Sequence, residues 1–381
     1  MSADTDDGPR RIGLLKGIEL TPRQILYLIV GVLALFAVPE IEGLSSSLRT
    51  QTIYLGLCWG IAALGLNLLL RHTELVSFGH AAYFGGGAYG SALAAQYAGV
   101  EEALLLVLIG VLLATSLAVA IGWLVSGYLD IYFSLLTLAF NQLLFAIVMG
   151  STDILGSDDG LAVRPQSDLI RPTLFGMEWS SRQFEVLSYY ILIVVLLVML
   201  FVTWRLVQSP FGRALDAIGQ DRTRARFIGI PVKRYVWTTI VISGVYGGLA
   251  GGLYSISLLH VRPNGTLFVL RSGEILFMAI LGGFQTLLGP IIGGIVLTYM
   301  LTELRFATEY WEFLTGFMLF LVVFLLPNGV IGSLPAILGG IKDRARNPGL
   351  VAEDASFIAA LVGSKLRDAA RTTKVLLFGV K

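Results

Sequence analysis

Long apolar runs recur along nearly the whole chain, and no other sequence feature restricts the fold so sharply. Crossing roughly 30 Å of hydrocarbon takes about 20 helical residues, slightly fewer where the ends snorkel, and by that measure about ten runs qualify. They fall near Ile25–Val38, Thr52–Leu70, Leu75–Ala98, Ala103–Ser126, Ile131–Met149, Val186–Val207, Val236–Leu258, Ser272–Gly283, Leu287–Leu304 and Phe313–Leu326, the first and eighth being short. With 55% hydrophobic and 14% charged residues, the chain has too little polar surface to cover a soluble globule of 381 residues. The expected fold is an all-α integral membrane protein, a polytopic helical bundle of about ten transmembrane spans solvated by membrane lipid. Charges are sorted by location and not pooled in one patch, so no nucleic-acid partner is expected. Cys58 is the only cysteine, which excludes a disulfide within the chain and a cysteine-based metal site.

Between two apolar runs lies a charged, helix-prone insert, Ser209 to Arg234. It carries Arg213, Arg222, Arg224, Arg226, Lys233 and Arg234 against only Asp216 and Asp221, which marks it as cytoplasmic under the positive-inside rule. Sorting all 27 Lys and Arg with the amino terminus inside places 20 in inner segments and 7 outside. Both termini are therefore expected in the cytoplasm, with an even number of spans. The resulting division is a cytoplasmic segment 1–24, a transmembrane domain 25–332 and a cytoplasmic tail 333–381, read either as an amphipathic helix or as a frayed end. An external loop 150–185, dense in Gly, Pro and Asp, reads as an ordered cap, and 209–234 is the inner loop.

Apparent catalytic motifs fail on context. Gly85, Gly87 and Gly90 match a dinucleotide-binding spacing, but no strand precedes them and they lie inside an apolar run, where close helix packing explains them. Gly363-Ser364-Lys365 is similar to the end of a phosphate loop, yet Ile358 stands at the first glycine position and Leu366 where a Ser or Thr would hold magnesium. No nucleophile triad, metal-ligand spacing or paired carboxylates emerge, so no catalytic residues are expected and the chain is not read as an enzyme. Glycines do recur at packing intervals, at Gly244, Gly248 and Gly252 with Gly247 and Gly251 beside them.

Polar groups at membrane depth are the better functional signal, because each costs free energy unless protein or water satisfies it. Asn67, Ser77, His80, Tyr83, Asn141, Gln142, Ser243 and Glu274 are the candidates. Each has two readings, interhelical hydrogen bonding or the lining of a solute pathway; for Glu274 the competing reading is an ion pair with Arg271. His80 and Tyr83 share a helix face, whereas the adjacent Asn141 and Gln142 cannot both face the same way.

These residues also resemble a known family. The run Ala63–Ala92, the turn Gly156–Gly160, the insert opening Ser209-Pro210-Phe211-Gly212-Arg213, the Gly282-Gly283 to Gly289-Pro290 hairpin and the closing Leu326-Pro327-Asn328-Gly329 are similar, in order and spacing, to the LivM branch of branched-chain amino acid ABC transporter permeases. That resemblance covers about residues 50 to 332 and implies a type II-like ABC importer architecture. It implies a second, LivH-like permease, two cytoplasmic ATPase subunits that hold the ATP and magnesium, and an external solute-binding protein. This chain itself would hold no cofactor and no metal. It further implies that the insert carries a helix docking on the ATPases, with Arg213, Asp221, Arg222, Arg224, Ala225, Arg226 and Gly229 as coupling residues and with Ala225 and Gly229 together on its packed side. The stretch Ala217-Ile218-Gly219-Gln220-Asp221 departs from the family's pattern by two charges.

The expected function is thus a permease subunit moving a small polar solute inward, by default a branched-chain amino acid, with urea or short amides as alternatives within the family. A stand-alone secondary carrier or channel is the competing class, and a purely structural scaffold leaves the intramembrane polar residues unexplained.

Overall fold

Helices carry most of the described backbone because hydrocarbon offers no partner to a free N–H or C=O, and a helix satisfies both within itself. The computed structural model describes residues 12–13, 19–20, 35–39, 50–128, 130–163, 172–325 and 329–333. The expected span Ile25–Val38 lies largely outside the described residues, as does the tail. Two compact units divide the chain, Met1–Ile331 and Gly332–Lys381, and the second lies almost wholly outside the described residues. Near the amino terminus β1 (Ile12–Gly13) pairs antiparallel with β2 (Glu19–Leu20). Four helices follow: α1 (Thr50–His72), α2 (His80–Tyr97), α3 (Ala103–Val125) and α4 (Asp130–Met149). After the short α5 (Thr152–Leu155) and β3 (Leu161–Ala162) come α6 (Ser181–Gln208), α7 (Pro210–Gln220), α8 (Arg222–Phe227) and α9 (Val232–Leu258). The series closes with β4 (His260–Val261), α10 (Pro263–Thr266), α11 (Val269–Gly282), α12 (Gly289–Ala307) and α13 (Trp311–Leu325).

Among the described residues, six helical stretches are long and apolar enough to cross a membrane: α1, α3, α4, α6, α9 and Pro263–Gly282, which joins α10 to α11. The chain is thus a multi-pass, all-α membrane protein. α1 is the hub, with 89% of its span buried, whereas α4 at 22% and α3 at 33% lie at the perimeter. Their outward faces carry Leu108, Leu112 and Trp123 on α3 and Ile131, Tyr132 and Leu135 on α4, an apolar surface suited to lipid.

α2 is not among the six, although the run Leu75–Ala98 reads as one span. It buries 15 of its 18 residues inside the protein and so needs small side chains more than apolar ones. Gly87 shows why: a Cβ there would run into the backbone of Gly248 on α9. The glycine stripe of α9 splits between two neighbours, Gly244 and Gly248 facing Ala118 and Ala114 of α3 while Gly247 and Gly251 face Tyr83 and Phe84 of α2.

The same run also starts differently from a continuous span, because α2 begins only at His80. Thr73–Gly79 is not helical, yet Thr73, Leu75, Ser77 and Gly79 are buried. Non-helical backbone survives at such depth only where protein satisfies it. Here α4 does so: Ser134 Oγ donates to the Val76 carbonyl (2.6 Å) and the Phe78 N–H donates to Thr137 Oγ1 (3.2 Å). At the end of α9, β3 pairs antiparallel with β4, fixing the chain that leads into α10. The Glu102 carboxylate closes the loop there, accepting from the N–H groups of Phe175 (2.8 Å) and Gly176 (3.0 Å).

Candidate solute pathway and coupling insert

His80 opens α2 in the middle of the bundle. Its partner Ser243 stands about 16 Å along α9 from Val232 at roughly 1.5 Å per residue, near half the thickness of a bilayer core. His80 Nε2 and Ser243 Oγ are 2.6 Å apart, and the imidazole meets the Tyr83 ring edge-on at 5.5 Å. One turn of helix brings His80 and Tyr83 to the same face, as their spacing requires. The N–H of Ala81 donates to Ser272 Oγ (2.9 Å), tying the start of α2 to α11. His80 Nδ1 has no protein partner among the described residues.

Asn141 is fully buried and donates through Nδ2 to the Leu267 carbonyl (3.0 Å), leaving Oδ1 without a partner among the described residues. It shares the buried face of α4 with Phe133 and Thr137 at intervals of four, the spacing that stacks side chains on one side of a helix. Gln142 accordingly points away from this interior and is exposed on the perimeter face of the chain. Ser77 is buried, and its Oγ accepts from the Gly79 N–H (3.3 Å) just ahead of His80.

The remaining candidates lie elsewhere. Asn67 sits toward the carboxyl-terminal end of α1 and lines a cleft of about 190 Å³ with Arg71, His72, Thr203, Trp204 and Leu287. Glu274 forms the ion pair with Arg271 (2.6 Å), whose Nε also donates to the Asn264 carbonyl. The structure therefore gathers Ser77, His80, Tyr83 and Ser243 around the start of α2, sets Asn141 behind them on α4, and leaves Asn67, Gln142 and Glu274 apart. Reading the sequence missed Thr137 and Ser272. Hydroxyls in apolar runs usually bond back to their own helix, so nothing local marks these two as cross-helix partners.

The insert is two helices, not one. Ser209 caps α7, accepting from the Gly212 N–H, with Pro210 at the first helical position. Asp221 then breaks the helix and caps α8, accepting from the N–H groups of Thr223 (2.9 Å) and Arg224 (3.0 Å). The Arg224 N–H above all, with the Thr223 N–H and the Arg224 guanidinium, holds the Asp221 carboxyl below its usual range. Leu215, Ile218 and Ala225 are buried in a cluster with Leu69, Leu75, Val125, Phe133 and Val236, so the apolar face of the insert docks on its own bundle.

This corrects the expectation for Ala225 and Gly229. Ala225 packs inward on its own chain, while Gly229 lies beyond the end of α8 at φ +89° with open space around it. Among the arginine coupling candidates Arg213, Arg224 and Arg226 are exposed, Arg224 while paired with Asp221, beside Phe227 and Ile228, which are 86% and 73% exposed. Arg222 turns inward, 14% exposed, and bonds Asp130 and the Thr73 carbonyl.

Comparison with known proteins adds the family. Residues 48–323 match the family model of the branched-chain amino acid transport system permease component. Over 291 residues the chain is 26% identical to the high-affinity branched-chain amino acid transport system permease protein LivM of Escherichia coli, covering 71% of this chain and 67% of that one. It is 27% identical over 294 residues to the LivH permease protein of Salmonella typhimurium, covering 74% and 93%. No solved structure matches it.

Proposed function

Because this chain belongs to the branched-chain amino acid transport system permease component family, as a LivM-type member, we propose that it forms half of the membrane path of an ATP-driven importer. Its solute is a branched-chain amino acid or a close relative, carried inward by alternating access past His80, Ser243 and Asn141. Selectivity rests largely with an external solute-binding protein. A LivH-like permease completes the path, and two cytoplasmic ATPases, which hold ATP and magnesium, drive it. The full chain has about ten spans in the cytoplasmic membrane, with both termini inside and a type II-like arrangement.

One observation carries this reading: a polar insert docked on the inner end of an apolar bundle, displaying Phe227 and Ile228 directly after the exposed Arg224 and Arg226. Apolar side chains that exposed, next to arginines in the chain, suit a groove in a cytoplasmic partner better than solvent. Interior hydrogen-bonding atoms without a partner among the described residues, His80 Nδ1 and Asn141 Oδ1, supply contacts for a polar solute.

The test is co-purification of the ATPases on the tagged chain, together with uptake of labelled leucine, isoleucine and valine and of urea as a competitor. The chain alone should neither hydrolyse ATP nor accumulate solute, and both activities should appear with the partners. Uptake by the lone chain that collapses with the proton gradient would establish the secondary-carrier reading instead.

A further inference from the structure

Taking the importer reading as given, we propose that Arg222 is a positioning residue for transport, a bracket that ties the insert to the non-helical segment Thr73–Gly79 and through it to His80. Its guanidinium spans two elements. Nη1 donates to Asp130 Oδ1 at the start of α4 (2.7 Å), and Nη2 donates to the Thr73 carbonyl (3.0 Å), the first carbonyl past the end of α1. That carbonyl has lost its helical partner, and Arg222 supplies one.

Two further contacts follow the same line. His72 Nδ1 and Asp216 Oδ1 of α7 are 2.5 Å apart. Gly219, at the end of α7, lies so close to the His72 carbonyl that an added Cβ would sit 2.8 Å from it. Beyond Thr73 the segment is fastened to α4 at Val76 by Ser134 and at Phe78 by Thr137, and it ends at Gly79, directly before His80. Insert, segment and inner half of α4 are thus one connected block. A displacement of the insert reaches His80 through hydrogen bonds as well as through the chain between α8 and α9.

The bracket's geometry matters more than its energy. Asp130 is 77% exposed, so the ion pair adds little stability. Asp130 also has φ +52°, a left-handed conformation that Asp tolerates better than most residues. Only a planar fork reaches both acceptors, and a lysine, a single point charge, cannot.

The experiment uses the assembled transporter and reads leucine uptake, ATPase recovery on the tagged chain and ATP hydrolysis for Arg222→Ala, Arg222→Lys and Asp130→Asn. Arg222→Ala should keep ATPase recovery and hydrolysis within about twofold while uptake falls roughly tenfold, with Arg222→Lys intermediate and Asp130→Asn showing a smaller loss of the same kind. Uptake by Arg222→Ala within about twofold of the unaltered chain overturns the bracket. Loss of ATPase recovery together with uptake also overturns it, because Arg222 would then belong to the docking surface. If Arg222→Ala fails to reach the membrane, Asp130→Asn decides, and normal uptake by it overturns the proposal. An unaltered chain that recovers no ATPase and takes up no leucine counts against the importer reading alone.

Discussion

At Asp221 one carboxylate determines where the insert bends. It accepts the first free N–H groups of α8 and pairs with the Arg224 guanidinium at 2.9 Å, so the chain can end α7 at Gln220 and restart at Arg222. Because the folded carboxyl titrates below its unfolded range, its stabilisation is complete above that range and is lost as pH falls through the lowered folded value. Asp221→Ala should therefore speed amide exchange at Thr223 and Arg224 at neutral pH, whereas Asp221→Asn, still a good cap, should change it far less. The difference between Asp and Ala should shrink in acid, and a gap that persists there would show that the charge is irrelevant. The sequence marks Asp221 as part of a charged, helix-prone insert but not as a cap. A helix of six residues is too short for periodicity to fix its register, and the inward turn of Ala225 follows from docking against Leu215, Ile218 and Val236.

Among the elements, α2 and α9 approach too closely to admit a larger residue at their contact. Gly87→Leu would drive a side chain into the Gly248 backbone, a displacement that costs at least about 1–3 kcal/mol. Gly273→Leu, with nothing within 4 Å of its added Cβ, is the matched control. Thermal unfolding of the purified chain should be lowered by several degrees in the first and hardly moved in the second; equal midpoints would mean that the helices separate freely. The spans α1, α3, α4, α6 and α9 are legible in the sequence because each is one long apolar run. The break before α2 is not legible: Leu75, Val76 and Phe78 read as membrane residues, and the groups that satisfy their backbone, Ser134 and Thr137, come from a helix far along the chain. The pathway candidates divide in the same way. Composition finds buried polar residues, but only packing separates Asn141, inside, from Gln142, outside.

For the molecule as a whole, orientation is the property the charges decide. In intact cells a cysteine replacing Asp153, exposed beside the outer loop, should react with an impermeant thiol reagent, while one replacing the exposed Thr223 should react only after lysis. The native Cys58 is buried and adds little background. Labelling in the reverse order would invert the membrane placement of the insert. The polarity of α2 also bears on how the chain is made. A translocon releases segments into lipid according to their hydrophobicity, and α2, with its glycines, tyrosines and His80, is not among the helices apolar enough to leave alone. The wall it seats against, α9, is synthesised only after α3, α4, α6 and the insert, a delay on the order of ten seconds at roughly 5–20 residues per second. During that interval α3 covers one side of α2, at Gly86 and Gly90, while the side at Gly87 waits for α9, so its burial is completed by a late helix closing over an early one.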